Sequence, residues 1–234
     1  MNKECESRIE TFAKMLHKSR HVVFFTGAGI STESGLPDFR GPDGVWTRQE
    51  KGLPPRSVAK PWGSVEPNSG HRALVELQGI GRLGFLISQN VDNLHLKSGI
   101  HPDLLAELHG NITKLRCTRC ERTIDQSSGR ADCPCGGSLV SSVVNFGQSL
   151  PQRDLERSFE QSRKSDLFVV VGSSLVVTPA ADMPAEALRA GAKLIIINQG
   201  ETPFDRYAHV RFHERIGEVL PKAVKRLKIL MGLE

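Results

Sequence analysis

Four of the chain's five cysteines, Cys117, Cys120, Cys133 and Cys135, fall within 19 residues. The spacing C-x2-C, twelve intervening residues, then C-x-C presents four thiolates from two knuckles, the set a closed tetrahedral zinc site takes. Four protein ligands leave no coordination position for water, so the expected metal, one zinc per chain, is structural and its chemistry is folding. Four free buried thiols are the blander alternative. They fit poorly beside Arg116, Arg119 and Gly136-Gly137, which make a poor apolar environment. In a reducing compartment such a cluster points to metal before disulfide, and the expected location is cytoplasmic. Cys5 is left over from the set.

A second constellation is Thr26-Gly27-Ala28-Gly29-Ile30-Ser31, directly after an apolar run. Glycines there let a backbone approach a pyrophosphate, and the amides at the start of a following helix favour its charge. The third glycine is Gly35, too late for the dinucleotide fingerprint, so hydride transfer is not the natural reading and a plain tight turn competes. A third group, Ser88-Gln89-Asn90-Val91-Asp92-Asn93-Leu94-His95 with His109-Gly110, also follows an apolar run. Asn can donate and accept, Asp can hold a carboxamide or orient a ribose, and His can move a proton near neutral pH. Taken alone, His109 could simply end a helix, and His95 looks still more ordinary.

Strands must carry these groups. Runs at 22–25 (VVFF), 85–87 (FLI), 167–171 (LFVVV) and 194–197 (LIII) are continuous, short and apolar, the pattern of strands buried in a parallel sheet. Between the last two, 180–190 is Ala-rich and stopped by Gly191, which reads as a helix, so strand, helix, strand makes a right-handed crossover. A first helix is expected over 6–18, from Ile9, Phe12, Ala13 and Leu16, and a final one from Ile216, Val219, Leu220, Ala223, Val224 and Leu227. The fold class is α/β, a parallel sheet with helices on both faces. Two regions break the rhythm: 36–70, with six prolines, and 113–140, with the cysteines.

At 234 residues, 38% hydrophobic and 24% charged, the chain can bury a core and is neither disordered nor fibrous. Its longest apolar run is five residues, against roughly 20 for a spanning helix, so no membrane association is expected. The first ten residues have no apolar h-region of a secretory signal. A net charge of +5 allows an acidic partner, nucleic acid included, but identifies none. The densest basic cluster, Lys222, Lys225, Arg226 and Lys228, reads as a solvated helix face.

The phrases GAGISTESGLPDFRGPDGVW (27–46), QNVDNLH (89–95), HG (109–110), the four cysteines, VVNFG (143–147), GSSLVVTPA (172–180) and IIIN (195–198) resemble the sirtuins, in sirtuin order. PDGVWT, SQNVD, AELHGN, SLPQRDL and DRYAHVRFH look most like the class IV branch, though bacterial and archaeal members share them. The resemblance implies an NAD-dependent protein lysine deacylase with a Rossmann-like domain and a small zinc-binding one. On it, 1–35, 71–112 and 141–234 form the NAD-binding domain, 36–70 the cofactor-binding loop and helical part of the small domain, and 113–140 the zinc module. NAD is consumed as a co-substrate: the acyl oxygen attacks C1′, nicotinamide leaves, an alkylimidate forms, and water completes release of lysine and O-acyl-ADP-ribose.

The resemblance also implies roles. His109 would be the general base, with Asn90 and Asp92 lining the nicotinamide pocket and Gln89 holding the ribose. Gly27, Ala28, Gly29, Thr32, Asp38 and Phe39 would meet the cofactor, and Arg40 and Trp46 would close over it. Gly172, Ser173, Ser174, Asn198 and Ile216 would take the phosphate and adenosine side. A strand at 143–147, with Val144, Phe146 and Gly147, would pair with an acylated lysine peptide or protein.

The chain departs from the pattern in three places. Ser141-Ser142 stands where many sirtuins have Arg-Pro, Gln148 where FGE is common, and Asn93 where the NVDGLH phrase has glycine. No Tyr-x2-Arg pair lies between 47 and 70, which argues against acidic acyl chains. The competing readings are a mono-ADP-ribosyltransferase, using the same activated ribose, and a non-catalytic NAD-sensing or nucleic-acid-binding module.

Overall fold

A computed structural model describes residues 3–54 and 62–234. Of the expected cofactor loop and N-terminal segment, 55–61 and 1–2 lie outside the described residues. In chain order the main elements begin with α1 (Lys3–Lys18), β1 (Val22–Thr26), α2 (Val45–Glu50), α3 (Ser69–Gly79), β2 (Phe85–Ser88) and α4 (Leu94–Ser98). Next come β3 (Leu105–Glu107), β4 (Lys114–Cys117), β5 (Thr123–Asp125), β6 (Leu139–Ser141) and α5 (Gln152–Lys164). The chain ends with β7 (Leu167–Val171), α6 (Met183–Arg189), β8 (Lys193–Ile197), β9 (Val210–Phe212) and α7 (Ile216–Leu230).

Six strands form one parallel sheet in the order β3-β2-β1-β7-β8-β9. This is a Rossmann-like arrangement, and the chain winds outward in opposite directions from β1 and β7. Their carboxyl ends therefore flank the topological switch point, where open α/β sheets leave a crevice. The four apolar runs are the central strands, and β1 and β7 are buried along their whole length. Alternate residues serve opposite faces. Val22 and Phe24 pack with Phe12, Leu16, Leu74, Leu220 and Val224 beneath α1, α3 and α7. Val23 and Phe25 pack with Ile196, Met183 and Ala187 on the α6 side. Phe24 is fully buried, so truncation to Ala would cost about 3–5 kcal/mol.

The final helix buries the expected stripe, Ile216, Val219, Leu220, Ala223, Val224 and Leu227. The expected helix at 180–190 is shorter: a 3-10 turn at Ala180–Asp182 precedes α6. Pro184, which has no amide to donate, sits in the first turn, where a helix tolerates it. On α7, Lys222 pairs with Glu6 and Lys228 with Glu76, as a solvated face would. The second, antiparallel sheet, β5-β4-β6, carries the cysteines. Among the described residues no helix is long and apolar enough to cross a membrane.

Candidate active site

The chain leaves β1 at Thr26 and turns through Gly27 into a 3-10 helix, Ala28–Ser34. The Gly27 amide donates to the Val171 carbonyl at 3.1 Å and the Gly29 amide to the Gly172 carbonyl at 2.8 Å. A Cβ on Gly29 would stand 2.7 Å from the Gly172 Cα, and one on Gly27 2.7 Å from the Gly172 oxygen. These glycines first serve the contact between the ends of β1 and β7, which builds the floor of the crevice. The Thr32 hydroxyl donates to the Gly29 carbonyl at 2.9 Å, and Asn68, capping α3, donates to the Ile30 carbonyl at 2.7 Å. The loop is fixed from both sides.

The segment after β2 packs against this floor. Asp92 accepts from the Leu94 amide at 2.9 Å and from the Ser31 hydroxyl at 2.6 Å, and the Asn90 amide reaches the Ser31 oxygen at 3.2 Å. Ser31 thus bridges the two residues, a role the motif contained but spacing alone did not reveal. Burial pushes the Asp92 carboxyl up, against the pull of the Ser31, Leu94 and Asn90 hydrogen bonds. The Gln89 side chain donates to the Ser173 hydroxyl at 2.8 Å, tying β2 to the loop after β7.

His109 follows β3 and ends no helix. Its Nδ1 lies 2.8 Å from the Gln89 carbonyl. A carbonyl only accepts, so Nδ1 carries the proton and Nε2 is a free base. Burial pulls the imidazole below its ordinary range and the Gln89 carbonyl partly restores it, so His109 is neutral at pH 7. His95 is different: buried, it meets the Thr26 hydroxyl at 2.9 Å and lies tilted against the ring of His71, as a core histidine would.

One cleft of about 1230 Å³ brings all of these together. Gly27, Ala28, Gly29 and Thr32 border it from β1, Gln89, Asn90 and Asp92 from β2, and His109 from β3. Gly172, Ser173 and Ser174 border it after β7, Asn198 after β8, and Ile216 at the start of α7. Asp38, Phe39, Arg40 and Trp46 form one rim, and Val144, Phe146 and Gly147 the other. Trp46 joins the rims, with its ring centroid 5.1 Å from Phe39 and 5.8 Å from Phe146. The Arg40 guanidinium lies 4.0 Å over the Trp46 ring, a cation–π contact.

The expected strand at 143–147 is not a strand. Beyond β6 it has no regular secondary structure, donates from the Val144 amide to the His109 carbonyl at 2.9 Å, and turns at 145–148. Among the described residues no strand pairs with it, and Phe146 stands 80% exposed.

In the small sheet the four cysteine sulfurs lie within 4.8 Å of one another. The Cys117–Cys135 and Cys120–Cys133 separations are 3.5 and 3.7 Å, far longer than a disulfide. A tetrahedron with Zn–S bonds of about 2.3 Å has edges of about 3.8 Å, so the donor set fits one zinc. The Arg119 amide points at the Cys117 sulfur at 3.3 Å, a donor suited to a thiolate. The Cβ that Gly137 lacks would lie 2.6 Å from the same sulfur, so the tight second knuckle closes only around glycine.

Residues 27–57 and 55–179 match the Sir2 family. The chain is 41% identical to NAD-dependent protein deacylase 2 of Archaeoglobus fulgidus, over 96% of this chain and 98% of the relative. The chain belongs to the Sir2 family. NAD-dependent protein deacetylase SRT1 of Oryza sativa subsp. indica is also 41% identical, over 91% of this chain but 47% of its own length, so this Sir2 chain spans about half of that plant relative. A solved Sir2 structure with a p53 peptide and NAD+ superposes at a TM-score of 0.74 and 34% identity, covering 97% of this chain and 99% of that one.

Within this Sir2 fold the departures have physical readings. Asn93 adopts φ 65° and ψ 5°, the left-handed region that glycine favours and that asparagine tolerates best among the other residues. The backbone of the phrase is therefore kept, and Asn93 does not line the cleft. Gln148 closes the turn beneath Phe146, accepting from the Asn145 amide at 2.8 Å. Ser142 is buried under the His109 turn.

Proposed function

We propose that this chain is an NAD-dependent protein lysine deacylase, converting acyl-lysine, NAD+ and water into lysine, nicotinamide and O-acyl-ADP-ribose. The observation that carries the reading is His109: a half-buried, neutral imidazole with Nδ1 committed to Gln89 and Nε2 free, bordering the same cleft as Asn90, Asp92 and the glycine floor. Bound NAD supplies an ADP-ribosyl group that accepts the acyl oxygen as nicotinamide departs. Gly27, Ala28, Gly29, Thr32, Gly172, Ser173, Ser174, Asn198 and Ile216 hold the nucleotide. Gln89 holds the nicotinamide ribose, Asn90 and Asp92 hold the carboxamide, and the free Nε2 of His109 takes a proton from a ribose hydroxyl.

Asp38, Phe39, Arg40 and Trp46 cover the cofactor and keep water out of the cleft. The 143–147 segment takes the substrate backbone by β-augmentation, with the exposed Phe146 against the acyl-lysine. The zinc site holds the small sheet and stays out of the chemistry. The class IV phrases, PDGVWT and AELHGN among them, support a class IV placement within the family. Cysteine sulfurs gathered for a metal support a cytoplasmic location.

The test is incubation with NAD labelled in the ADP-ribose and a panel of acylated peptides, read by mass spectrometry. Deacylated peptide with labelled O-acyl-ADP-ribose is expected. Stable label on protein without deacylation would replace this reading with mono-ADP-ribosyl transfer, and NAD binding without turnover would leave only a binding module.

A further inference from the structure

His109 sits at the tip of a turn whose two flanks are joined to each other. Glu107 and Asn111 lie two residues either side of it, and the Asn111 Nδ2 donates to the Glu107 Oε1 at 2.6 Å. The second hydrogen of that amide goes to Asn93 Oδ1 at 2.8 Å, on the loop that carries Asn90 and Asp92. The Asn111 Oδ1 accepts from the Thr113 amide and hydroxyl at 2.9 and 2.8 Å. All four hydrogen-bonding positions of this buried amide are thus used. The Asn111 backbone is held as well: its amide donates to the Ser142 hydroxyl at 3.0 Å, and that hydroxyl donates back to the Asn111 carbonyl at 2.7 Å. The other Glu107 oxygen accepts from Lys114 Nζ at 2.8 Å, at the start of β4 in the cysteine-bearing sheet.

None of these side chains lines the cleft. We propose that Asn111 is a positioning residue for His109. Its amide staples the His109 turn to Glu107 and to the Asn90–Asp92 loop, and the Glu107–Lys114 pair anchors that staple to the small sheet. Two of its parts are departures of this chain. A glycine at 93 would have no oxygen to offer, and a proline at 142 no hydroxyl. The function of the staple rests on the deacylase reading, but its geometric effect on the imidazole does not.

The experiment therefore has two readouts on the full chain, with Asn111→Ala and Asn93→Gly. Nitrogen-15 NMR of labelled histidine follows the His109 tautomer and titration without any turnover. With the staple cut, the ring is less shielded from water and the His109 pKa is expected to rise by about half a unit or more. In steady-state deacylation, kcat is expected to fall about tenfold in Asn111→Ala while KM for NAD and peptide stays within about twofold. Asn93→Gly should show both effects more weakly, and it keeps the test decisive if Asn111→Ala fails to fold, because glycine adopts a φ of 65° without strain. An unmoved His109 titration in a folded variant would overturn the proposal, as would kcat and KM worsening together with no imidazole shift. If the wild-type chain turns over no acylated peptide, the deacylase reading fails while the NMR titration still decides the staple.

Discussion

The Nδ1 of His109 and the carbonyl of Gln89 are 2.8 Å apart, and this contact decides which ring nitrogen is available for chemistry. It joins the residue expected to move a proton to the backbone of the residue expected to hold the ribose. A tautomer fixed from the main chain survives changes of side chain at position 89.

A pH profile follows from the same contact. The base must be neutral, and burial, ahead of the Gln89 hydrogen bond, holds the folded pKa of His109 below the ordinary 6.5. The acidic limb of kcat/KM should lie below pH 6.5, with no loss assignable to this group as pH rises above 7. Initial rates measured from pH 5 to 8.5 check this, and a limb above 6.5 would show an imidazole more open than the structure has it.

Gly172→Ala should damage the crevice from its floor. The residue has φ 66°, and a Cβ would stand 2.4 Å from the Ile30 amide nitrogen, a contact with backbone that has nowhere to go. Left-handed strain and overpacking together put the expected destabilisation at about 2–4 kcal/mol. Chemical denaturation measures it, and NAD binding by calorimetry should weaken in parallel. Unchanged stability would show that the ends of β1 and β7 can separate freely.

Metal content gives a third check. Elemental analysis should find about one zinc per chain, and chelation or Cys117→Ser should melt the β5-β4-β6 sheet while the parallel sheet persists. Near- and far-ultraviolet circular dichroism separates the two. A chain fully stable in chelator with no bound zinc would refute the structural metal.

Acid should weaken the fold through two core histidines. Burial, reinforced by Arg72, pushes His71 down to about 4, and burial, reinforced by His71, holds His95 well below the ordinary value. Unfolded, both take up protons near pH 6.5 while the folded chain keeps them neutral. Their contribution is therefore complete above pH 6.5 and is lost as pH falls from there toward 4, with a slope approaching about 1.4 kcal/mol per pH unit for each histidine. Urea unfolding at pH 7 and pH 5 reads the slope, and His71→Gln should reduce it. Equal stability at both pH values would contradict the burial of the pair.

The central strands and the first and last helices were legible because β1, β7 and β8 each carry an unbroken run of four or five apolar residues and α7 repeats its stripe at helical spacing. The edge strands β3 and β9 were not, since three residues each, one of them Glu107 or Arg211, give no period to read. Nor was α5, whose sequence QRDLERSFEQSRK is too polar to announce a buried side. The residues that border the cleft were visible as phrases, and the cysteines as spacing. What sequence could not supply was the pairing between phrases: Ser31 bridging Asp92 and Asn90, or Asn111 reaching both Glu107 and Asn93. Those contacts depend on where β1, β2 and β3 lie side by side in the sheet.

The most direct measurement of the central claim is product stoichiometry with an acetylated peptide, for the wild-type chain and for His109→Ala. Equal amounts of nicotinamide, deacetylated peptide and O-acetyl-ADP-ribose are expected from the wild type, with deacetylation in the variant reduced by at least about a hundredfold. A His109→Ala chain that deacetylates as fast as the wild type would contradict the account.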